Sequence, residues 1–211
     1  MNSFTGPTLP HTALPAGLDL ARDGDVLLVL KDDEANESKI RVSSTILSYA
    51  SSTFATMLGP RFMEGQGHRT GDWPIAIPLP EDDYHAVRSL CEILHFKQPS
   101  WTDSDCTVAC DCIFQLSVVV DKYQCASSIR LTSQALLSRF LDFRETTRLS
   151  ATSMHELVTA SYLLDQSRYF TLFTRRFAMD RYGFGFAHLR MNRAGPFLPL
   201  GVLCEMHLSL T

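Results

Sequence analysis

Asp32, Glu34, Asn36 and Ser38 place side-chain oxygens at alternate positions of one loop, as a calcium-binding loop would. The pattern fails where that chemistry is demanding. Glu37 stands where a glycine should make the sharp turn, and Ser43 stands where a bidentate glutamate should close the site. A solvated acidic hairpin loop is the expectation. Cys106, Cys110 and Cys112 are close enough to suggest a metal cluster, but the chain contains no Cys-x-x-Cys pair and no His-x-x-x-His follows. Cys112 falls on the apolar stripe of a predicted helix, which makes it a small buried hydrophobe. His85 and His95 are ten residues apart on one predicted helix, so they lie far apart round its axis and read as surface or half-buried side chains. Gly-x-Ser-x-Gly and His-Glu-x-x-His are both absent. Gly65-x-Gly67 and Gly183-x-Gly185 lack the strand before, the helix after and the Lys-Ser/Thr that a phosphate loop needs. The expectation is a protein with no catalytic residues, no cofactor and no bound metal. A cysteine-based metal or redox protein is the alternative from a different class.

Composition narrows the partners. The chain has 211 residues, a formal net charge of −4, 45% apolar and 20% charged residues. That suffices for a real core and is unlike a disordered acidic protein. Phosphate binding needs concentrated Lys and Arg, so nucleic acid is not expected. Phe170, Phe173 and Phe177, with Arg175 and Arg176, could be drawn as a stacking surface, but aromatics at helical spacing more often form core. Val26–Leu30 is too short an apolar run to span a bilayer. The first residues lack the basic start of an export signal, and the six cysteines are too unevenly spaced for a disulfide scaffold. These features predict an intracellular protein with free thiols, no membrane contact and no choice between cytoplasm and nucleus.

The elements that must position any site follow from periodicity. Residues 1–21, with three prolines and no period, read as a flexible leader. Val26–Leu30 reads as a buried strand, and Lys39–Ser43, alternating with period two, as its hairpin partner. Ser43 or Ser44 caps a helix carrying Ile46, Leu47 and Ala50, and Ser51 or Ser52 caps one carrying Phe54, Met57 and Leu58. Residues 64–74 read as a loop. Ile75, Ile77 and Leu79 form a third strand, which Pro78 places at an edge or ends early. Pro80–Asp83 opens a helix with Val87, Leu90, Cys91 and Leu94 on one face. A longer helix carries Ala109, Cys112, Ile113, Leu116, Val119, Val120 and Tyr123, and another carries Ile129, Leu136, Leu137 and Phe140. Two more hold Met154, Leu157 and Val158, then Phe170, Phe173 and Phe177. Residues 183–195 are Gly-rich and irregular, and 200–210 read as a last short helix. Strands mixed with short helices, followed by helices only, predict an α+β fold with a helical extension.

This order of elements resembles a BTB/POZ domain. Gly24-Asp-Val-Leu-Leu-Val-Leu30, Ile40-Arg-Val-Ser-Ser44, Ile46–Phe54 and Met57-Leu58 match the opening of that family, and Phe62–Gly65, Ile75–Pro80 and the helix to His95 continue it. Val118-Val-Val-Asp-Lys-Tyr123, then Cys125, is similar to a stretch typical of BTB proteins from filamentous fungi. Tyr162–Gln166 and Phe170–Arg176 are similar to their extension. The resemblance covers about residues 22–182. It implies a small sheet with short helices packed on it, then a helical C-terminal extension: a leader over 1–21, the BTB domain over 22–142, the extension over 143–182 and an irregular segment over 183–211.

The resemblance implies a non-enzymatic protein-interaction module, a scaffold or adaptor. One class of partner is a cullin scaffold of a ubiquitin ligase, which such an adaptor links to a substrate. The alternative is a homodimerising regulator of transcription or assembly without cullin contact. Family dimers form through the first helix and strand, here Asp25, Ile46, Leu47 and Tyr49. Transcription-factor members match Asp25 with a histidine and a basic residue where this chain has Ser43 and Ser44. Cullin-binding members often carry an apolar residue followed two positions later by Glu, and here the pair is Phe96 and Gln98. Neither kelch repeats nor a zinc-finger array accompany these segments.

Overall fold

The computed structural model describes residues 17–60, 73–142, 149–179, 193–199 and 201–202. Its core begins with a hairpin whose sequence alternation sets the register. β2 (Val26–Lys31) runs antiparallel to β3 (Glu37–Val42), with Val26 opposite Val42 and Leu28 opposite Ile40. The acidic loop between them closes on itself. An Asp32 carboxylate oxygen accepts the backbone N–H groups of Glu34 and Asn36, and its second oxygen accepts the Ser38 hydroxyl. β4 (Ile75–Pro78) pairs parallel with β2 at the edge of the sheet, where a proline without an N–H costs no ladder bond. The other edge has no signature in the sequence. Gly17–Asp19 forms β1, parallel to β3, giving the order β1-β3-β2-β4. The leader expected through residue 21 therefore contains a strand, and Leu20 beside it is buried.

Seven α-helices follow or interrupt the sheet among the described residues. α1 (Ser44–Ala50) and α2 (Ser52–Met57) form the first pair. Ser43 caps α1, and the Ser51 side chain accepts the Phe54 N–H to cap α2. Asp83 caps α3 (Tyr84–Leu94), and Asp105 caps α4 (Cys106–Lys122). α5 (Arg130–Ser138) runs into a 3₁₀ turn through Leu141. α6 (Ala151–Leu163) and α7 (Ser167–Met179) complete the set.

α4 is the hub. It packs against α3 on one side and α6 on the other, which is why its buried residues exceed a single stripe: Ala109, Cys110, Ile113, Phe114, Leu116, Ser117, Val119 and Val120. Leu90 and Leu116 are fully buried, as the periodicity requires. Cys112 is a correction, because it lies half-exposed beside the stripe rather than in it. The helices of the expected C-terminal extension share the core of the preceding ones. Met154, Leu157, Val158 and Phe173 belong to one cluster with Leu90, Ile113 and Phe54. The Gln166 amide before α7 also donates to the Ser133 hydroxyl and the Arg130 carbonyl on α5. The architecture is α+β, a small four-stranded sheet with its helices on one continuous core. Phe62–Gly65, most of the 64–74 loop, most of 183–195 and most of the 200–210 helix lie outside the described residues.

Candidate protein-interaction surface

The end of α3 sets the geometry of the first candidate surface. The Lys97 N–H reaches the Glu92 carbonyl and the Phe96 N–H reaches the Ile93 carbonyl, at 2.8 and 3.0 Å. This is the 6→1 and 5→2 pattern that closes a helix through a left-handed residue. Glycine normally occupies that position, but here it is Phe96, with φ = 61°. The backbone reversal turns the ring outward, and Phe96 is 92% exposed. Lys97 and Gln98 are exposed beside it.

Across from this loop lies α5. Ile93, Pro99, Trp101, Leu136 and Phe140 line a groove of about 570 Å³, with Phe96, Lys97 and Gln98 on one side and Arg139 on the other. Trp101 is held by its indole N–H, which donates to the Ser89 hydroxyl at 2.9 Å. Arg139 ties α5 to the opposite wall by donating to the carbonyls of Thr102, at 2.6 Å, and Ser104. Phe96–Gln98, expected from the family resemblance as a contact segment, and the segment 132–140 thus face one cleft. Trp101, Pro99 and Thr132 are lining residues that no sequence pattern singles out.

His95 fastens this end of α3 to the start of α1. Its Nδ1–H donates to the Cys91 carbonyl at 2.8 Å, leaving Nε2 to accept the Ser43 N–H at 3.0 Å. The surface or half-buried histidine expected here is instead a buried, doubly bonded one. Burial is the largest influence and lowers its pKa below the ordinary value; the bond to Cys91 opposes this, and Lys97 adds to the lowering. The unfolded chain therefore binds the proton more readily than the fold does. Stability from this contact is full above the unfolded value of about 6.5 and is lost as pH falls below it towards the folded value. Urea midpoints measured at neutral and mildly acid pH should fall on acidification, and His95→Gln should reduce that fall. An identical pH dependence in wild type and variant would exclude His95 as its source.

The second candidate surface is the first strand and helix. Asp25 does not await a basic counter-charge, because its carboxylate accepts the Ser44 N–H at 2.8 Å and the Ser44 hydroxyl at 2.6 Å. Ser44 thus holds the carboxylate by two hydrogen bonds without supplying a counter-charge. Ile46 is half-buried and Tyr49 is 91% exposed, available to a partner. Leu47 is a correction: it is fully buried, so it supports α1 from the core rather than contacting a second chain.

The Asp121-Lys122-Tyr123 stretch has a structural role. The Lys122 ammonium and the Tyr123 hydroxyl both donate to Asp82, at 2.6 and 2.8 Å, pinning the turn before α3 to the end of α4. Burial, then Asp82, pushes the Tyr123 hydroxyl well above the usual phenol range. Burial also pushes the Cys91 and Cys110 thiols far up and the Cys125 thiol up to about 12, the opposite of the lowered values that make thiols reactive. Among the described residues, no group of three His, Cys, Asp or Glu side chains could hold a metal ion. No helix among them is long and apolar enough to cross a membrane.

The class that this geometry defines is an α+β domain with an apolar, cation-rimmed groove between two helices. No protein-family model and no curated protein matches the chain.

Proposed function

We propose that this chain is a non-enzymatic protein-interaction module of the BTB/POZ type, acting as a scaffold or adaptor through the groove beside Phe96. The observation that carries this reading is the convergence of two segments more than thirty residues apart, Phe96–Gln98 and residues 132–140, on one apolar cleft. An exposed aromatic at the rim of a preformed apolar groove is the usual form of an interface anchor. A cullin scaffold is the first partner class to try, because the resemblance places the contact pair of cullin-binding members at Phe96 and Gln98. Gln98 can hydrogen-bond but supplies no carboxylate, so wild-type affinity should be weak.

The alternative, a homodimerising regulator, draws on a different observation: Tyr49 projects from α1 almost fully into solvent beside half-buried Ile46. A large exposed aromatic next to apolar surface suits a self-complementary contact.

Calorimetric titration of the purified cullin N-terminal domain into the full chain separates the two. Weak binding that tightens with Gln98→Glu supports the adaptor. No heat with either chain, together with a dimeric mass by light scattering that Tyr49→Ala reduces to a monomer, supports the regulator. A monomer that binds no cullin overturns both.

A further inference from the structure

We propose that the groove beside Phe96 receives an acidic amphipathic segment of a partner protein, whose apolar side chains fill the cleft while its carboxylates meet Lys97 and Arg139. This rests on the reading of the groove as a docking surface and adds the chemistry of the occupant.

The charge around the cleft is the reverse of the charge on the chain. With 23 Asp and Glu against 19 Lys and Arg, the protein is acidic, yet neither wall of the groove carries an acid. Residues 96–102 contain Lys97 and no Asp or Glu, and residues 125–141 contain Arg130 and Arg139 and no Asp or Glu. An acid-free pair of walls from separate parts of an acidic chain leaves a local positive field.

Among the described residues, the groove lining holds Lys97 and Arg139 and no acid. Lys97 Nζ donates to the Asp19 carbonyl at 3.2 Å, and the two Arg139 Nη groups donate to the carbonyls of Thr102 and Ser104. Carbonyl dipoles hold these cations in place without neutralising them, so both remain able to pair with a carboxylate. Of the acids nearest these walls, Asp142 is exposed, makes contacts of its own and lies outside the groove lining, and the Asp19 carboxylate lies 3.9 Å from Arg41. Glu92 accepts from Arg88 at 2.9 Å, and the Asp105 carboxylate caps α4 by accepting the Thr107 and Val108 N–H groups. Asp103 is exposed and lies outside the groove lining.

Shape supplies the other half. A cleft of about 570 Å³ walled by Ile93, Trp101, Leu136 and Phe140 has room for two or three apolar side chains. A helix offers such a set at i, i+3 and i+4 and presents its polar positions to the rim. At the rim, acids pair with Lys97 and Arg139, whereas basic residues are repelled.

The test is to pan the full-length chain against a phage-displayed library of random peptides of about 16 residues, using the Phe96→Ala chain as counter-target, and to measure the enriched peptides by fluorescence anisotropy. Enrichment of apolar residues at helical spacing flanked by Asp and Glu is the expected result. Those peptides should lose about tenfold in affinity against Lys97→Glu and weaken further as salt rises. Phe96-dependent peptides with basic or uncharged flanks, unaffected by Lys97→Glu, would overturn the acidic occupant and leave the docking surface standing. A library in which no enriched peptide depends on Phe96 would overturn the docking surface and the inference with it.

Discussion

Phe54→Ala should lower the unfolding free energy by about 3–5 kcal/mol, the range for an aromatic removed from a close-packed core. Phe54 is fully buried, and its ring stacks on Tyr123 with centroids 4.2 Å apart and planes 3° from parallel. The truncation opens a cavity against a neighbour that cannot follow it, because the Tyr123 hydroxyl is fixed to Asp82. The backbone around the pair is equally fixed. The buried Ser51 hydroxyl, which caps α2 through the Phe54 N–H, donates to the Tyr123 carbonyl and so joins the ends of α2 and α4. Partial collapse is therefore a poor escape, which places the expected loss in the upper part of that range. Urea denaturation followed by far-ultraviolet circular dichroism measures it. A loss below about 1 kcal/mol would mean that this site is not the core position its burial indicates.

Phe96→Ala should cost one to a few kcal/mol in binding to the cullin N-terminal domain or to any partner of the groove, while leaving the fold intact. The ring makes few contacts within the chain at 92% exposure, so its loss is felt only in a complex. Phe96→Gly separates the two roles of this position more sharply. A residue other than glycine in the left-handed region carries a cost of roughly 1–2 kcal/mol, partly offset in a glycine variant by the added entropy of the unfolded chain. Phe96→Gly should therefore raise unfolding stability by up to about 1 kcal/mol while binding falls as far as in Phe96→Ala. Tight binding unaffected by Phe96→Ala would remove the proposed contact. A glycine variant less stable than wild type would show that the ring contributes to the fold itself.

The hairpin, the two serine caps, the edge placement of the strand ending at Pro78, the buried face of α3 and the main stripe of α4 are legible in the amino-acid sequence. Each depends on neighbours within a few residues: side-chain alternation for β2 and β3, a serine oxygen reaching an N–H three residues ahead, a missing proline donor, a repeat near 3.6 residues. Asp25 and Phe96 are legible as candidates only through resemblance, and their surroundings are not. Nothing local distinguishes buried Leu47 from exposed Tyr49, two residues apart on a short helix, because the answer depends on which face of α1 meets the core. The same holds for His95, whose burial follows from Ser43 arriving at its free nitrogen from fifty-two residues away. β1 has no local signal because three residues carry no measurable period, and only pairing with β3 makes them a strand. The groove is the extreme case. Its two walls are separated by some thirty residues of chain, and Lys97 and Arg139 line one cleft only because packing brings those segments together. Local hydrogen bonding and periodicity determined the elements; long-range packing, which depends on every element at once, decided which side chains face water and which face each other.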